Sequence, residues 1–255
     1  MRRLNIARNF AAGQIGPPLF LFLRPTEFES CDLGWGAAME IRIELPGVIL
    51  GVLEIDGVTT APADEALAEE MRIVCERIQR QFTPEQVMEL EAVRAVRGMF
   101  RVWGIDPARY RPSSEALVRR AAQGKGLYRV SNVVDAGNLG SLETGWPYGI
   151  YNRALISGPV VFREGLESET YEGIGKKTWH LAGRPVLADS GGAFGSPISD
   201  STRTMVTEAA RDILAVIYAP ASAPRTKIEQ ALADLTRRLG ESAKGQNGRS
   251  SIVAA

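Results

Sequence analysis

The stretch YRPSSEALVRRAAQGKGLYRVSNVVDAGNLGSLETGWPYGIYN (residues 110–152) predicts two consecutive helices, each closed by a glycine turn. Ser113 is a suitable N-cap for the first helix, since its hydroxyl can accept a free backbone N–H, and Gly124 ends it. The second helix covers residues 131–144 and stops at Gly145-Trp146-Pro147, because glycine adopts the left-handed cap and proline cannot continue the hydrogen-bond ladder. This order of helix, turn, helix and sharp turn says most about the fold.

Strands and further helices are predicted on both sides of this stretch. The sequences MEIRIEL and VILGVLEI flank Pro46-Gly47 and are rich in β-forming residues, and the unbroken apolar run at residues 213–219 predicts a fully buried strand. Further elements are predicted at residues 61–82 and 226–240 (helices) and at residues 159–163 and 185–189 (strands). Because these elements alternate without a regular βαβ repeat, the predicted fold is α+β, a mixed β-sheet flanked by helices.

The pattern of the sequence changes at Met39. Residues 1–38 contain glycine, proline and isolated aromatics without a sustained period, which indicates an irregular N-terminal extension and a natural start at Met39. Residues 39–240 are predicted to form a single domain. Residues 241–255 offer little apolar surface to offset the entropy of ordering them, so we expect a disordered tail.

The composition is that of an ordinary globular domain, with 45% hydrophobic and 24% charged residues. The apolar run at residues 15–23 is broken by two prolines and is far shorter than the roughly 20 residues that cross a bilayer, which excludes a membrane span there. A signal-peptide cleavage site does not follow that run, and the two cysteines lack metal-ligand spacing. These observations predict a cytoplasmic location.

Charge is unevenly distributed although the net charge is zero. Residues 27–91 hold fifteen acidic and four basic side chains, whereas residues 94–129 hold nine basic side chains against Asp106 and Glu115. Cations that share one face attract a phosphate-bearing partner, and the alternative is that they pair internally with the acidic segment. The candidate phosphate contacts are Arg109, Arg111, Arg119, Arg120 and Lys125.

Few residues support metal-dependent or nucleophilic catalysis. His180 is the only histidine, and together with two distant cysteines it cannot complete a zinc site, so we predict no metal and no cofactor. A catalytic triad would need His180 as its base, but the sequence has no G-x-S-x-G elbow, and a structural role for His180 stays open. Residues 173–177 (GIGKK) lack the spacing of a P-loop and predict a turn between strands.

Three polar groups are candidates for a binding site. The glycines at positions 191, 192 and 195, followed by Ser196, allow backbone N–H groups to approach a ligand, and the alternative is a plain hairpin turn. Asp200 and Arg203 have the spacing of a surface ion pair. The third group shares a face of the second helix, where it either knits the core or lines a pocket: Asn132, Asp135 and Asn138.

Five signatures occur in a fixed order over about 120 residues: PSSEALVRR, QGKGL, VVDAGNLGSLETGWPYGIYN, RPVLADSGG and TRTMVTEAARDIL. In this order they resemble the editing domain of the phenylalanyl-tRNA synthetase beta subunit. The resemblance implies the fold of that domain and the hydrolysis of a wrongly attached amino acid from tRNA. The chain is too short for an aminoacylation core as well and has no motif for ATP activation, so we do not expect a complete ligase.

Such a domain needs no strong nucleophile, because an aminoacyl ester is reactive and a positioned water with donors for the oxyanion suffices. The catalytic residues that the resemblance implies are Asp135, Asn138, Gly195 and Ser196. The implied substrate-binding residues are Asn132, Tyr148, His180, Asp189, Asp200 and Arg203. The sequence departs from the family pattern at two places, with Gly149 where a histidine is common and Lys176-Lys177 where an acidic residue is common.

Two functions are compatible with these residues. The first is a free-standing aminoacyl-tRNA deacylase that hydrolyses the ester of mischarged tRNA. The alternative, motivated by the missing histidine and acidic residue, is a non-catalytic module that binds RNA or an amino-acid-like ligand on the same fold. The expected partner is tRNA or aminoacyl-tRNA, a membrane partner is not expected, and the oligomeric state stays open.

Overall fold

Two four-stranded β-sheets, a two-stranded hairpin and five α-helices make up residues 38–254, the part of the chain that a computed structural model describes. The strands are β1 Ile41–Ile43, β2 Val48–Asp56, β3 Tyr148–Asn152, β4 Val160–Glu164, β5 Thr170–Glu172, β6 Thr178–His180, β7 Pro185–Asp189, β8 Gly192–Gly195, β9 Ile213–Pro220 and β10 Gln246–Ala254. The helices are α1 Glu65–Gln81, α2 Glu91–Val102, α3 Ser113–Ala122, α4 Asn132–Thr144 and α5 Arg225–Ala243, with 3-10 turns at Gln86–Glu89, Arg153–Leu155 and Thr202–Thr204. No helix within residues 38–254 is long and apolar enough to cross a bilayer. Apart from Ala38, the predicted N-terminal extension lies outside the described residues.

The larger sheets have the strand orders β1-β4-β7-β8 and β10-β2-β9-β3, and β5 pairs with β6 in the hairpin. The pairing of β1 with β4 is parallel, and the other pairings of these strands are antiparallel. Strands β1 and β2 therefore enter different sheets, although only Pro46-Gly47 and its neighbours separate them. The prediction of an α+β fold with mixed β-structure flanked by helices is confirmed.

Strand β9 forms the centre of the core. All eight of its residues are buried, as its unbroken apolar run predicts, because β9 lies between β2 and β3 and is covered on both faces. On one face, aromatic rings cross to the other sheet: Tyr218 of β9 lies 5.5 Å from Phe162 of β4, and Tyr151 of β3 lies 5.0 Å from Phe194 of β8, between ring centroids. On the other face, α4 packs against β3 and α5 packs against β2.

Helix α4 forms where the sequence predicts it. At its start, the Ser131 hydroxyl accepts a hydrogen bond from the Val134 N–H at 3.2 Å. At its end, Gly145 has a φ of 70°, the left-handed cap conformation that glycine adopts without strain. A Cβ added at Gly137 would lie 2.6 Å from Cγ1 of Ile150, so this glycine allows α4 to approach β3 closely.

The prediction of a disordered tail at residues 241–255 is wrong for the residues that the structure describes. Helix α5 continues to Ala243, and β10 pairs with β2 from Gln246 opposite Asp56 to Ala254 opposite Ile49. The free edge of β2 supplies backbone donors and acceptors, so ladder hydrogen bonds hold β10 although its side chains bury little apolar surface. The domain therefore extends beyond the predicted boundary at residue 240.

Candidate functional site

The basic segment is organised around one buried carboxylate. Glu115 lies on α3 with 1% of its side chain exposed, and it contacts three guanidinium groups. Its Oε2 lies 2.9 Å from Arg97 Nη1, and its Oε1 lies 2.8 Å from Arg119 Nε and 3.6 Å from Arg111 Nε. One negative charge therefore faces three positive charges, and the surplus reaches the surface at Arg111, whose side chain is 51% exposed.

The other predicted phosphate contacts lie on α3 and on the loops on either side of it. The Arg120 guanidinium lies 3.7 Å from the ring centroid of Tyr128 and donates to the tyrosine hydroxyl at 3.0 Å. Arg109 lies over the neighbouring tyrosine ring at 5.2 Å, and Lys125 is exposed. The alternative of pairing with the acidic segment applies to Arg129, which contacts a glutamate of α1 at 3.2 Å.

Asp200 and Arg203 do not form the predicted ion pair. Arg203 Nη2 contacts Asp189 Oδ1 at 2.8 Å, whereas Asp200 Oδ1 accepts a hydrogen bond from the Tyr151 hydroxyl at 2.7 Å. The prediction assumed helical spacing, but this segment contains only a single 3-10 turn that begins at Thr202, after Asp200. The carboxylate of Asp200 therefore turns into the interior while Arg203 reaches the end of β7.

A buried cluster of hydroxyl groups surrounds Asp200. The hydroxyls of Tyr151 and Tyr218 lie 3.0 Å apart, the Ser196 N–H donates to Asp200 Oδ1 at 3.3 Å, and the Tyr171 hydroxyl donates to Ser196 Oγ at 3.2 Å. Burial raises the pKa of Asp200 to about 7 and holds the pKa values of Tyr151 and Tyr218 well above the usual value for tyrosine. We call these residues the Asp200 cluster, and its aspartate is the group whose pKa burial brings close to neutral pH.

Sequence reasoning missed the three tyrosines of the Asp200 cluster, Tyr151, Tyr171 and Tyr218. One signal was present, because a tyrosine inside a buried strand needs a hydrogen-bond partner for its hydroxyl. The identity of the partner could not be predicted, since Tyr151 and Tyr218 are 67 residues apart in the chain.

Three backbone N–H groups between Gly191 and Ser196, the segment predicted to approach a ligand, have partners within the protein. The Gly191 N–H donates to a carboxylate of β7 at 2.8 Å, and the Ala193 N–H donates to the carboxylate of Glu169 at 3.0 Å. The Ser196 N–H donates to Asp200, as described above. A ligand oxygen would have to displace one of these carboxylates to bind these three N–H groups.

Gly149 and Gly195 both border the Tyr151 side chain. A Cβ added at either glycine would overlap the Tyr151 ring and hydroxyl. The position where the family resemblance leads us to expect a histidine, Gly149, therefore has no room for a side chain while Tyr151 keeps its place. The Tyr151 hydroxyl occupies the space between the two glycines.

The polar residues of α4 make hydrogen bonds to other parts of the chain. Asn132 Oδ1 accepts from the Ala61 N–H at 2.8 Å, and its amide donates to the Ser242 carbonyl at 2.8 Å. Asp135 accepts from a backbone N–H in the loop before α4 at 2.9 Å, and burial raises its pKa. Asn138 is half-buried. The hydrogen bonds of Asn132 and Asp135 share no residue with the Asp200 cluster. These two residues therefore connect α4 to neighbouring segments of the core.

Tyr148 and His180 lie in two further places. Tyr148 lines a cavity of about 710 Å³ between α2, α4 and α5, together with Trp146, Lys227 and Asp234. Its hydroxyl is buried without a hydrogen-bond partner among the described residues, and burial raises its pKa. A cavity with both signs of charge and an apolar wall can take a ligand with an amine, a carboxylate and an apolar part.

His180 is exposed at the end of β6, and residues 38–254 contain no cluster of three or more His, Cys, Asp or Glu that could hold a metal ion.

The elements described above fall within a known domain family. Residues 95–240, more than half of the chain, match the B3/4 domain. The chain belongs to the B3/4 domain family. The matched part of this B3/4 domain runs from α2 into α5 and includes both the arginines around Glu115 and the Asp200 cluster. The resemblance that the sequence signatures indicate is thereby confirmed.

The curated relatives of this B3/4 domain are phenylalanine–tRNA ligase beta subunits. The subunit of Neisseria meningitidis serogroup A / serotype 4A is 32% identical over 103 residues, 36% of this chain and 13% of its own length. That of N. meningitidis serogroup B is 29% identical over 116 residues, 42% of this chain and 15% of its own length. The aligned region therefore spans about a seventh of these relatives. Among solved structures, an N-terminal fragment of the phenylalanyl-tRNA synthetase beta subunit from Pyrococcus horikoshii aligns with a TM-score of 0.42 at 14% identity, covering 84% of this chain and 55% of that one.

Proposed function

We propose that this B3/4 domain binds tRNA through α3 and the loops on either side of it. The observation that carries the proposal is the surplus of positive charge around Glu115, where three arginines share one buried carboxylate. The curated relatives are subunits of a tRNA ligase, which supports tRNA as the phosphate-bearing partner. A tRNA partner makes the cytoplasm the expected location.

The geometry of these arginines suits contacts with phosphate oxygens. Glu115 Oε1 lies 3.6 Å from Arg111 Nε, so the two Nη groups of Arg111 stay available to donate to a phosphate. The buried carboxylate attracts this exposed guanidinium and favours its position beside α3. The Arg120 guanidinium stacks on the ring of Tyr128, a residue that is 65% exposed. Together they add a flat surface at the other end of α3 on which a base can stack.

Replacing Arg111 and Lys125 together by alanine is expected to weaken tRNA binding and to reduce its salt dependence. Each lost phosphate contact lowers the slope of log K against log salt concentration by about 1, so the double variant loses about 2. Fluorescence anisotropy with labelled tRNA, between about 50 and 200 mM salt, measures this slope. Arg237→Ala removes an exposed arginine of α5 and is the control that should keep the wild-type slope. Equal slopes for the wild type and the double variant would contradict the proposed face.

Hydrolysis of the aminoacyl ester of mischarged tRNA is the second candidate function, and the Asp200 cluster favours it. A carboxylate whose pKa burial raises to about 7 suits a general base that accepts a proton from water near neutral pH. Access is the difficulty, because Tyr151, Phe194 and Tyr218 are fully buried around this carboxylate. For this reason tRNA binding is the first proposal.

If the second function holds, the protein should release the amino acid from at least one mischarged tRNA of a panel faster than buffer does. Asp200→Asn should then slow the release about 100-fold, because an amide cannot accept the proton. Asp106→Asn, at an exposed aspartate before α3, is the matched control. The absence of acceleration for every tRNA in the panel would leave binding as the function.

A further inference from the structure

Cationic and aromatic side chains alternate along one row on the surface. The Arg184 guanidinium lies 4.0 Å from the ring centroid of Tyr110 and 5.7 Å from that of Trp179, and it donates to the Tyr110 hydroxyl at 2.7 Å. Arg109 extends the row over Tyr110 at 5.2 Å, and Lys177 extends it over Trp179 at 4.5 Å. The order is Arg109, Tyr110, Arg184, Trp179 and Lys177, and we call these five residues the cation–aromatic row.

The row joins segments that are far apart in the chain. Arg109 and Tyr110 lie in the loop before α3, Lys177 and Trp179 lie on the turn and strand of the β5–β6 hairpin, and Arg184 follows that hairpin. Arg109 and Lys177 are exposed, and the other three side chains are half-buried, so each ring keeps an accessible part. The row is therefore a surface feature and not part of the core.

Within the part of the chain that the structure describes, the cations of the row form no ion pair with a carboxylate. Among residues 38–254, the ion pairs involve none of Arg109, Lys177 and Arg184. Three like charges that only aromatic rings hold in line repel one another, and a polyanion bound along the row relieves this repulsion. Arg111 follows Tyr110 directly, so the row continues into the arginines around Glu115.

We propose that the cation–aromatic row binds a single-stranded segment of RNA. Unpaired bases stack on aromatic rings and guanidinium planes, and the intervening phosphates contact the cations. A duplex keeps its bases stacked on one another and offers the row only phosphates, so the row prefers an unpaired strand. This inference rests on the proposed tRNA binding and adds to it: α3 contacts the backbone, and the row holds an unpaired part of the same RNA.

The test compares two labelled RNAs, an unstructured oligonucleotide and a hairpin of the same length, by fluorescence anisotropy at fixed salt. Trp179→Ala is expected to weaken binding of the unstructured RNA about 10-fold to 100-fold, because one stacked base is lost, and to change hairpin binding less than about 2-fold. Trp179→Phe should restore most of the affinity. The double variant Arg109→Ala with Lys177→Ala changes only exposed cations, so it should keep the fold and still weaken binding of the unstructured RNA. The control Arg237→Ala should leave this binding unchanged.

Several outcomes overturn the inference. Wild-type affinity for the unstructured RNA in Trp179→Ala and in the double variant would overturn it, and so would an equal loss of affinity for the unstructured RNA and the hairpin. If a polyglutamate peptide displaces the labelled RNA as effectively as unlabelled RNA of the same total charge, the row is assigned to an acidic protein instead. If the wild type binds tRNA while the row variants have no effect, this inference alone fails. If the wild type binds no tRNA, the proposed function fails with it.

Discussion

Asp200→Asn is expected to abolish a loss of stability that the wild-type protein shows as the pH rises from about 4 to about 7. Burial raises the pKa of Asp200 from 3.8 to about 7, so the folded protein retains the proton that the unfolded chain releases above pH 4. The stability that this proton contributes is fully present below pH 4 and is lost as the pH rises through 7. A shift of about three pH units corresponds to about 4 kcal/mol, since each unit is worth about 1.36 kcal/mol. Asparagine does not titrate, and its Oδ1 can still accept a hydrogen bond from the Tyr151 hydroxyl.

Urea unfolding at about pH 5 and about pH 8 measures this effect as a difference between wild type and variant. The lowered pKa values of Glu169 and Asp189 contribute the opposite trend, but they are present in both proteins and cancel in the difference. Asp106→Asn, at an exposed site, should leave the wild-type pH dependence unchanged. A free-energy difference between wild type and Asp200→Asn that is the same at both pH values would refute the role assigned to Asp200.

Glu115→Ala should lower the free energy of unfolding by about 3–5 kcal/mol, because it leaves the buried guanidinium of Arg97 without its carboxylate. The Arg97 side chain is 9% exposed and cannot regain full hydration, whereas Arg111 and Arg119 can turn further towards water. Urea unfolding measures the loss. Glu229→Ala removes an exposed ion pair on α5 and should cost less than about 1 kcal/mol.

A combined Arg97→Met and Glu115→Leu variant separates the buried charge from the packing. If the cost of Glu115→Ala comes from an uncompensated charge, this double variant should recover most of the lost stability, since apolar side chains of similar volume fill the space. A loss as large as that of Glu115→Ala would instead assign the cost to packing. Because this double variant also removes the carboxylate beside Arg111 and Arg119, it tests stability and not tRNA binding.

Elements whose cause is local could be predicted from the sequence. Helix α4 was predicted because its start at Ser131 and its stop at Gly145 depend on residues within one turn. Strand β10 was missed because its stability comes from the edge of β2, about 200 residues earlier in the chain. A segment rich in serine and asparagine has little apolar surface of its own, and only the free strand edge explains why it is ordered.

The candidate site divides in the same way. The basic segment was evident from composition, but the central position of Glu115 depends on the tertiary structure, which places Arg97 of α2 within 2.9 Å of Glu115 on α3. The pairing of Asp200 with Arg203 was predicted from spacing and is wrong, because Arg203 pairs with Asp189 at the end of β7.

The sequence alone determined the α+β class, the helix α4, the buried strand β9 and the resemblance to the phenylalanyl-tRNA synthetase beta subunit, because caps, apolar runs and ordered signatures act over short distances. Tertiary structure alone decided which polar residues meet. Tyr151, Asp200 and Tyr218 form one buried cluster, and Tyr110, Trp179 and Arg184 form one surface row, since the tertiary fold brings distant segments together. Burial then sets the chemistry: the same aspartate that would ionise near pH 4 in water holds its proton to about pH 7 inside this fold.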